Sequence, residues 1–239
     1  METKSPYSAI TFDAAGTLIR VAEPVGETYA RIAAEVGTTL SPAALDAAFR
    51  EVFPAMPPMA FPDVDEPDLR DAERGWWRDL VARVVRHAGD VDAFDDYFDA
   101  LFAYYADGAA WRTYPESHGV LESVRRRGLR IAVVSNFDSR LPPILRELGL
   151  APLVDTITYS TGCGAAKPSP RIFHYTLEQL GVTPKSTLHV GDSLSADFDG
   201  AGAAGLKAVH LNRADGIPEG VFPVIRHLGE LEELLDQQL

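Results

Sequence analysis

Lysine is nearly missing from this chain: among 239 residues only Lys4, Lys167, Lys185 and Lys207 occur, and none lies between Lys4 and Lys167. Together with a formal net charge of -13, this argues against a broad nucleic-acid surface, which needs clustered Lys and Arg to displace counterions. The one basic run, Arg125-Arg126-Arg127, precedes Gly128 at the end of a patterned helix, where cations complement the helix dipole. Cys163 stands alone, so no intramolecular disulfide forms. Its place near a glycine-rich loop reads as packing rather than as a nucleophile. The start, Met-Glu-Thr-Lys-Ser-Pro, has no long apolar core of a secretory signal. No apolar stretch approaches the roughly 20 residues needed to cross a bilayer. The expected setting is a reducing cytoplasm, with neither membrane nor nucleic acid as a partner.

Hydrophobic residues make up 46% of the chain, enough for a sizeable core in one large domain or two unequal ones. The stretch Ala9-Ile10-Thr11-Phe12 reads as a short strand ending at Asp13, followed by the turn Ala14-Ala15-Gly16-Thr17. Thereafter 26–36, 41–52, 71–87 and 92–106 carry apolar residues at helical spacing. Between the second and third of these, Pro54 to Pro62 holds too many prolines for a helix and predicts a loop that can act as a lid. From Tyr114 onward helices (118–127, 141–148, 170–180, 197–204) alternate with short buried strands (130–135, 156–159, 187–190, 207–211). Continuously apolar strands separated by helices predict a parallel sheet covered on both faces. The fold class expected is α/β: a Rossmann-like, doubly wound core of residues 1–20 and 112–239, with an inserted α-helical cap of residues 21–111.

In such a sheet, ligands gather at the carboxyl ends of the strands. Four of those ends carry polar residues: Asp13; Ser135 and Asn136; Lys167; and Gly191-Asp192 with Asp197. Two or three acids, one hydroxyl and one lysine converging suit Mg²⁺ and a phosphate, since Mg²⁺ takes carboxylate and carbonyl oxygens and bridges to substrate phosphate. Asp13 can then attack in line to form an acyl phosphate while lysine and hydroxyl hold the remaining oxygens.

The segments Phe12-Asp13-Ala14-Ala15-Gly16-Thr17-Leu18, Val134-Ser135-Asn136, Lys167-Pro168-Ser169-Pro170-Arg171-Ile172-Phe173 and His189-Val190-Gly191-Asp192-Ser193-Leu194-Ser195-Ala196-Asp197 resemble the four ordered motifs of the haloacid dehalogenase superfamily. The insert directly after the first motif resembles the helical cap of subfamily I, and the whole pattern is similar to the subfamily IA branch named for a rhythmically expressed fly gene. The resemblance implies Asp13 as nucleophile, Thr17 and Ser135 as phosphate-contacting hydroxyls, the backbone N–H of Asn136 on phosphate, and Lys167 as the neutralising lysine. It implies a Mg²⁺ site made by Asp13, the backbone carbonyl of Ala15 and Asp192, with Asp197 acting through water or orienting Lys167. The substrate implied is a small phosphorylated molecule; a protein partner is not excluded.

Most phosphatases of this family carry a second aspartate two residues after the nucleophile, where this chain has Ala15. That carboxylate protonates the leaving alkoxide and then activates water, a contribution of about 10²–10⁴-fold. Phosphonoacetaldehyde hydrolases share a similar Asp-x-Ala-Gly-Thr motif but need a cap lysine for their imine, and this insert has none. Haloacid dehalogenases also lack the second acid, yet they have an aromatic at the position of Ala15 and lack the Gly191-Asp192 pair. The favoured reading is a phosphatase restricted to good leaving groups or using another acid from the cap; the alternative is a catalytically impaired phospho-ligand-binding or regulatory protein, with a 2-haloacid dehalogenase ranked behind both.

Each assignment has a plainer competitor. Asp13 and Asp197 also suit helix N-caps or first turns, and Lys167 suits a solvated surface. Trp76 and Trp77 predict one ring in the cap core and one toward cleft or solvent. Arg20, Tyr29 and Arg31, near the cap entrance, are placed to reach an anionic substrate, against the plainer reading of the arginines as solvated surface. His118, His174, His189 and His210 show no metal-ligand spacing.

Overall fold

Buried apolar runs build the sheet. In the computed structural model, which describes residues 6–213 and 223–237, the strands Ala9–Phe12 (β1), Arg130–Ser135 (β4), Thr156–Tyr159 (β5), Thr187–Gly191 (β6), Lys207–Leu211 (β7) and Val224–Ile225 (β8) form one parallel sheet in the order β5-β4-β1-β6-β7-β8. β1 is buried at all four positions, and β4 from Ile131 to Ser135, as a central strand covered by helices on both faces must be. Numbered along the sheet strands alone, the order is 3-2-1-4-5-6, the doubly wound Rossmann order. The topological switch lies between β1 and β6, whose register pairs Phe12 with Val190, so Asp13 and Asp192 emerge beside each other. The amino-terminal residues 1–5, read above for a leader, lie outside the described residues.

The cap is a second packed unit. Helices Val25–Glu35 (α1), Pro42–Ala55 (α2), Glu66–Arg86 (α3) and Phe94–Tyr104 (α4) enclose a cluster that includes Tyr29, Ile32, Leu45, Leu80, Val84, Tyr97 and Leu101. Chain entry and exit run through an antiparallel ribbon, Ile19–Val21 (β2) against Trp111–Thr113 (β3), in which Arg20 lies opposite Arg112. Neither three-residue strand has a readable period of its own.

Helices of the core follow their start and stop signals. Ser117–Arg126 (α5) ends in Arg125 and Arg126, the cationic end anticipated from composition. After Leu141–Glu147 (α6) and the single turn Ser160–Cys163 (α7), Pro170–Leu180 (α8) begins with Ser169 accepting from the Arg171 N–H and ends at Gly181 with φ 66°. Three boundaries differ from the sequence expectation. Pro54 lies inside α2, because in the last turn its ring needs no continuation of the helix; the loop begins only at Met56. α3 starts five residues before Asp71, with Glu66 and Asp68 in its first turn, where acids suit the dipole. The helix expected from Asp197 is preceded by a π-helical turn, Leu194–Asp199, and continues only as Gly200–Ala203 (α9). Glu230–Asp236 (α10) closes the described chain.

Candidate active site

Asp13 leaves β1 as the first residue of a tight turn. The Ala14 carbonyl accepts from the N–H groups of Thr17, Leu18 and Ile19 (3.3, 2.8 and 2.9 Å), which demands the left-handed backbone of Gly16, φ 92°. A side chain there is also barred sterically: a Cβ on Gly16 would sit 2.2 Å from Asp192 Oδ2. Gly191 plays the same part for Asp197, whose Cγ would lie 2.2 Å from an added Cβ. The two glycines thus make the hollow in which the acids meet.

At its centre Lys167 Nζ donates to Asp13 Oδ1 at 2.6 Å and to Asp197 Oδ1 at 2.5 Å, all three side chains being buried. Ser135 Oγ donates to the same Asp13 oxygen at 3.1 Å. Asp197 also accepts from the Ser193 N–H (3.0 Å) and meets His189 Nε2 at 3.1 Å, with His189 Nδ1 on Thr11 Oγ1 at 2.8 Å. Asp13, Asp192 and Asp197 each offer an oxygen within 4.8 Å of the others. Thr17 Oγ1, in the turn after Asp13, is buried with no hydrogen-bond partner among the described residues, an unmet polar demand. Ala15 is exposed, with nothing but a methyl beside the nucleophile position.

Three carboxylates against one ammonium leave the hollow two charges negative when all the acids are ionised. The protonation pattern reflects this. Burial pushes Asp13 up to about 6, Lys167 pulling against it and Asp197 and Asp192 adding to it. Desolvation and the Asp197 charge lift Asp192 to about 6 as well. Burial opposes charge on Lys167 and on Asp197 but is overcome: Asp13, and after it Asp197, hold Lys167 above the ordinary lysine range, and Lys167 with the His189 hydrogen bond holds Asp197 below the carboxylate range. An oxygen-only, net-negative donor set of this kind fits a hard divalent cation such as Mg²⁺ rather than a thiophilic one.

A family model for haloacid dehalogenase-like hydrolases matches residues 7–205. The chain belongs to the haloacid dehalogenase-like hydrolase family. The mouse haloacid dehalogenase-like hydrolase domain-containing protein 3 is 34% identical over 238 residues, 95% of this chain and 94% of its own length. The rhythmically expressed gene 2 protein of Drosophila melanogaster is 27% identical over 214 residues, 83% of this chain and 80% of its own. Among solved structures, a HAD phosphatase from Thermococcus onnurineus aligns with a TM-score of 0.67 at 26% identity, over 95% of this chain and 97% of that one.

In this hollow the structure brings together Asp13, Ser135, Lys167, Asp192 and Asp197, with Thr17 in the adjoining turn. The Asn136 side chain braces the lysine's backbone, accepting from the Lys167 N–H at 2.7 Å and donating to the Lys167 carbonyl at 2.9 Å. Two partners had no readable sequence signal. His189 is buried between Thr11 and Asp197 because alternate residues of adjacent strands share a face. Arg213, just past β7, donates to the Gly16 and Thr17 carbonyls (3.2 and 2.9 Å) and pairs with Glu116 at 2.7 Å, clamping the turn after Asp13. Trp76 donates to the Pro57 carbonyl, while Trp77 turns to the core and donates to Asp138. Arg31 is occupied by Glu23 and Glu35, Arg20 lies over Tyr114, and Tyr29 is buried in the cap. His118 and His174 meet backbone carbonyls, and His210 meets the Asp192 carbonyl. Burial raises the Cys163 thiol, which favours the inert, packed form.

Two outcomes follow. Without a divalent cation, Asp13 and Asp192 bind protons more tightly folded (about 6) than at the ordinary value of 3.8, so their contribution is full below that value and is lost as pH rises through about 6. Asp197, shifted the other way, loses its contribution only at lower pH. Thermal unfolding in EDTA is therefore expected at a lower midpoint near about pH 7 than near about pH 5, and Mg²⁺ is expected to raise the midpoint more at the higher pH. A midpoint that rises with pH in EDTA contradicts this. Separately, Gly16→Ala is expected to displace Asp192 and weaken Mg²⁺ binding by about 10–100-fold, read by calorimetric titration.

Proposed function

We propose that this chain is a Mg²⁺-dependent phosphohydrolase that forms an aspartyl phosphate on Asp13 and acts on a small phosphorylated molecule in the cytoplasm, favouring leaving groups that depart without a proton. The observation that carries this reading is the pinning of one Asp13 oxygen by Lys167 and Ser135 (2.6 and 3.1 Å) beside two further carboxylates, with only the methyl of Ala15 where an acid would serve. Oδ1 takes both bonds; Oδ2 accepts none among the described residues and is the oxygen left for attack. Lys167 neutralises phosphoryl charge in a buried site, where electrostatic stabilisation is strongest. The unpartnered Thr17 hydroxyl, Ser135 and the Asn136 N–H would hold the remaining phosphoryl oxygens. Asp13, the Ala15 carbonyl and Asp192, with Asp197 through water, would hold Mg²⁺, which when bound spreads charge on the transferring phosphoryl group. Asp197 and His189 keep the lysine aimed.

Ala15 also supports a second reading, in which the hollow binds a phosphorylated ligand and turnover is negligible. The test is release of phosphate from acetyl phosphate, whose leaving group needs no proton, with Mg²⁺ and with EDTA. Turnover that EDTA removes supports the enzyme. Phosphate binding without turnover supports the binding module. Metal-independent chloride release from a 2-haloacid would overturn both.

A further inference from the structure

The turn that follows Asp13 is fastened from outside by one side chain. Arg213 donates from Nε to the Gly16 carbonyl at 3.2 Å and from Nη2 to the Thr17 carbonyl at 2.9 Å. Its remaining nitrogen, Nη1, meets Glu116 Oε1 at 2.7 Å, and the guanidinium lies over the Tyr114 ring at 3.6 Å. Glu116 is itself held, its second oxygen lying 3.4 Å from His227 Nε2. A planar fork is what this place requires: one edge serves two successive carbonyls, another nitrogen a carboxylate, and the flat face a ring. A lysine ammonium keeps the charge but offers no such fork. The consequence is visible in how the carbonyls of the turn are allotted. That of Ala14 accepts from the Thr17, Leu18 and Ile19 N–H groups, and those of Gly16 and Thr17 are taken by Arg213. The Leu18 carbonyl accepts from the Tyr114 N–H at 3.1 Å and from Ser117 Oγ at 2.7 Å, and the Ile19 carbonyl from the Gly16 N–H at 2.8 Å. From Ala14 to Ile19 only the Ala15 carbonyl accepts no hydrogen bond among the described residues.

We propose that Arg213 is a positioning residue of the Asp13 hollow: by taking the Gly16 and Thr17 carbonyls it keeps the Ala15 carbonyl free and aimed for Mg²⁺, and it fixes the backbone that carries Thr17. The inference rests on the Mg²⁺-dependent phosphohydrolase reading of the hollow. The clamp stands where the chain leaves for the cap and returns from it, since Leu18 directly precedes β2 and Tyr114 directly follows β3. Without the fork the Gly16 and Thr17 carbonyls have only water as partner. The peptide planes on either side of Gly16 then gain freedom to rotate, because glycine tolerates both signs of φ, and rotation of the Ala15–Gly16 plane re-aims the Ala15 carbonyl. Charge and position make opposite demands here. A guanidinium beside the hollow repels a second cation, so by charge alone its removal tightens Mg²⁺ binding. By position its removal loosens it.

The test titrates Mg²⁺ into the full chain by calorimetry, below the melting midpoint of each protein, where a merely structural role leaves the affinity unchanged. Arg213→Lys, which keeps the charge, and Arg213→Ala, which removes it, are both expected to bind Mg²⁺ about 10–100-fold more weakly than the native chain, the scale for groups that hold metal ligands in place. Added guanidinium, and not methylammonium at the same concentration, is expected to restore part of the affinity of Arg213→Ala by refilling the fork. Circular dichroism checks the fold. If neither variant folds, Glu116→Gln, which unties the far end of the fork, replaces them and is expected to weaken Mg²⁺ binding in the same direction. Native affinity in the folded variant, tighter binding in Arg213→Ala, or no difference between the two added cations overturns the positioning role and leaves the phosphohydrolase reading standing. A native chain that binds no Mg²⁺ overturns that reading and the positioning role with it.

Discussion

Asp13→Asn is expected to lower Mg²⁺-dependent hydrolysis of an aryl or acyl phosphate by about 10⁴-fold or more, the scale seen when a covalent nucleophile is removed. The amide is nearly isosteric, so Ser135 and Lys167 keep their positions around it, but its oxygen is too weak a nucleophile to displace the leaving group. The fold should persist, because a buried carboxylate raised to about 6 by desolvation is replaced by a neutral group of the same size. Two measurements separate lost chemistry from lost structure: the steady-state rate, and borohydride trapping, which reduces an acyl phosphate at residue 13 to homoserine in the native protein and finds nothing in the variant. Activity within tenfold of native in Asp13→Asn removes Asp13 from the nucleophile role.

Ala15→Asp is expected to act in the opposite direction. The position is exposed and stands in the turn whose backbone is already set by the Ala14 carbonyl and Gly16, so a carboxylate is added without disturbing the core. Hydrolysis of an alkyl phosphate should rise by about 10²–10⁴-fold, the usual worth of a placed general acid and base. An aryl phosphate should gain less, because aryloxide departure asks for little proton transfer and only the water step benefits. The pH profile should acquire a new falling limb on its basic side as the added acid loses its proton. An alkyl phosphate rate that stays flat while Mg²⁺ affinity is intact would show that position 15 is not what limits turnover.

Glu73 of α3 is buried against the core, accepting from the Ser139 N–H at 3.0 Å, from Ser139 Oγ at 2.5 Å and from Thr161 Oγ1. Ser160 Oγ donates to the Met59 carbonyl at 2.6 Å. The proline-rich segment expected as a lid is therefore tied to the core next to β5. These bonds hold α3 and the proline-rich segment against the core.

Much of the core was legible because its signals are local. The runs ending at Phe12, Ser135, Tyr159 and Leu211 are short, apolar and bounded by turn residues, so their strands could be placed from adjacent residues alone. So could α8, bracketed by Ser169-Pro170 and Gly181. The ribbon of β2 and β3 could not: each strand is three residues long, and its stability comes from a partner some ninety positions away. Pro54 misled because a proline in a last helical turn violates nothing.

The same division runs through the site. That Asp13, Ser135, Lys167, Asp192 and Asp197 would gather was legible from their types and their places at or just beyond strand ends, and the structure brings them together. The absence of a carboxylate at position 15 was equally plain, being the identity of one residue. The burial of His189 beneath Asp197, the bracing of Lys167 by the Asn136 amide and the Arg213 clamp were not written in any window. They depend on sheet register and on contacts between residues far apart in the chain, and such contacts exist only once loop closure has brought their partners together.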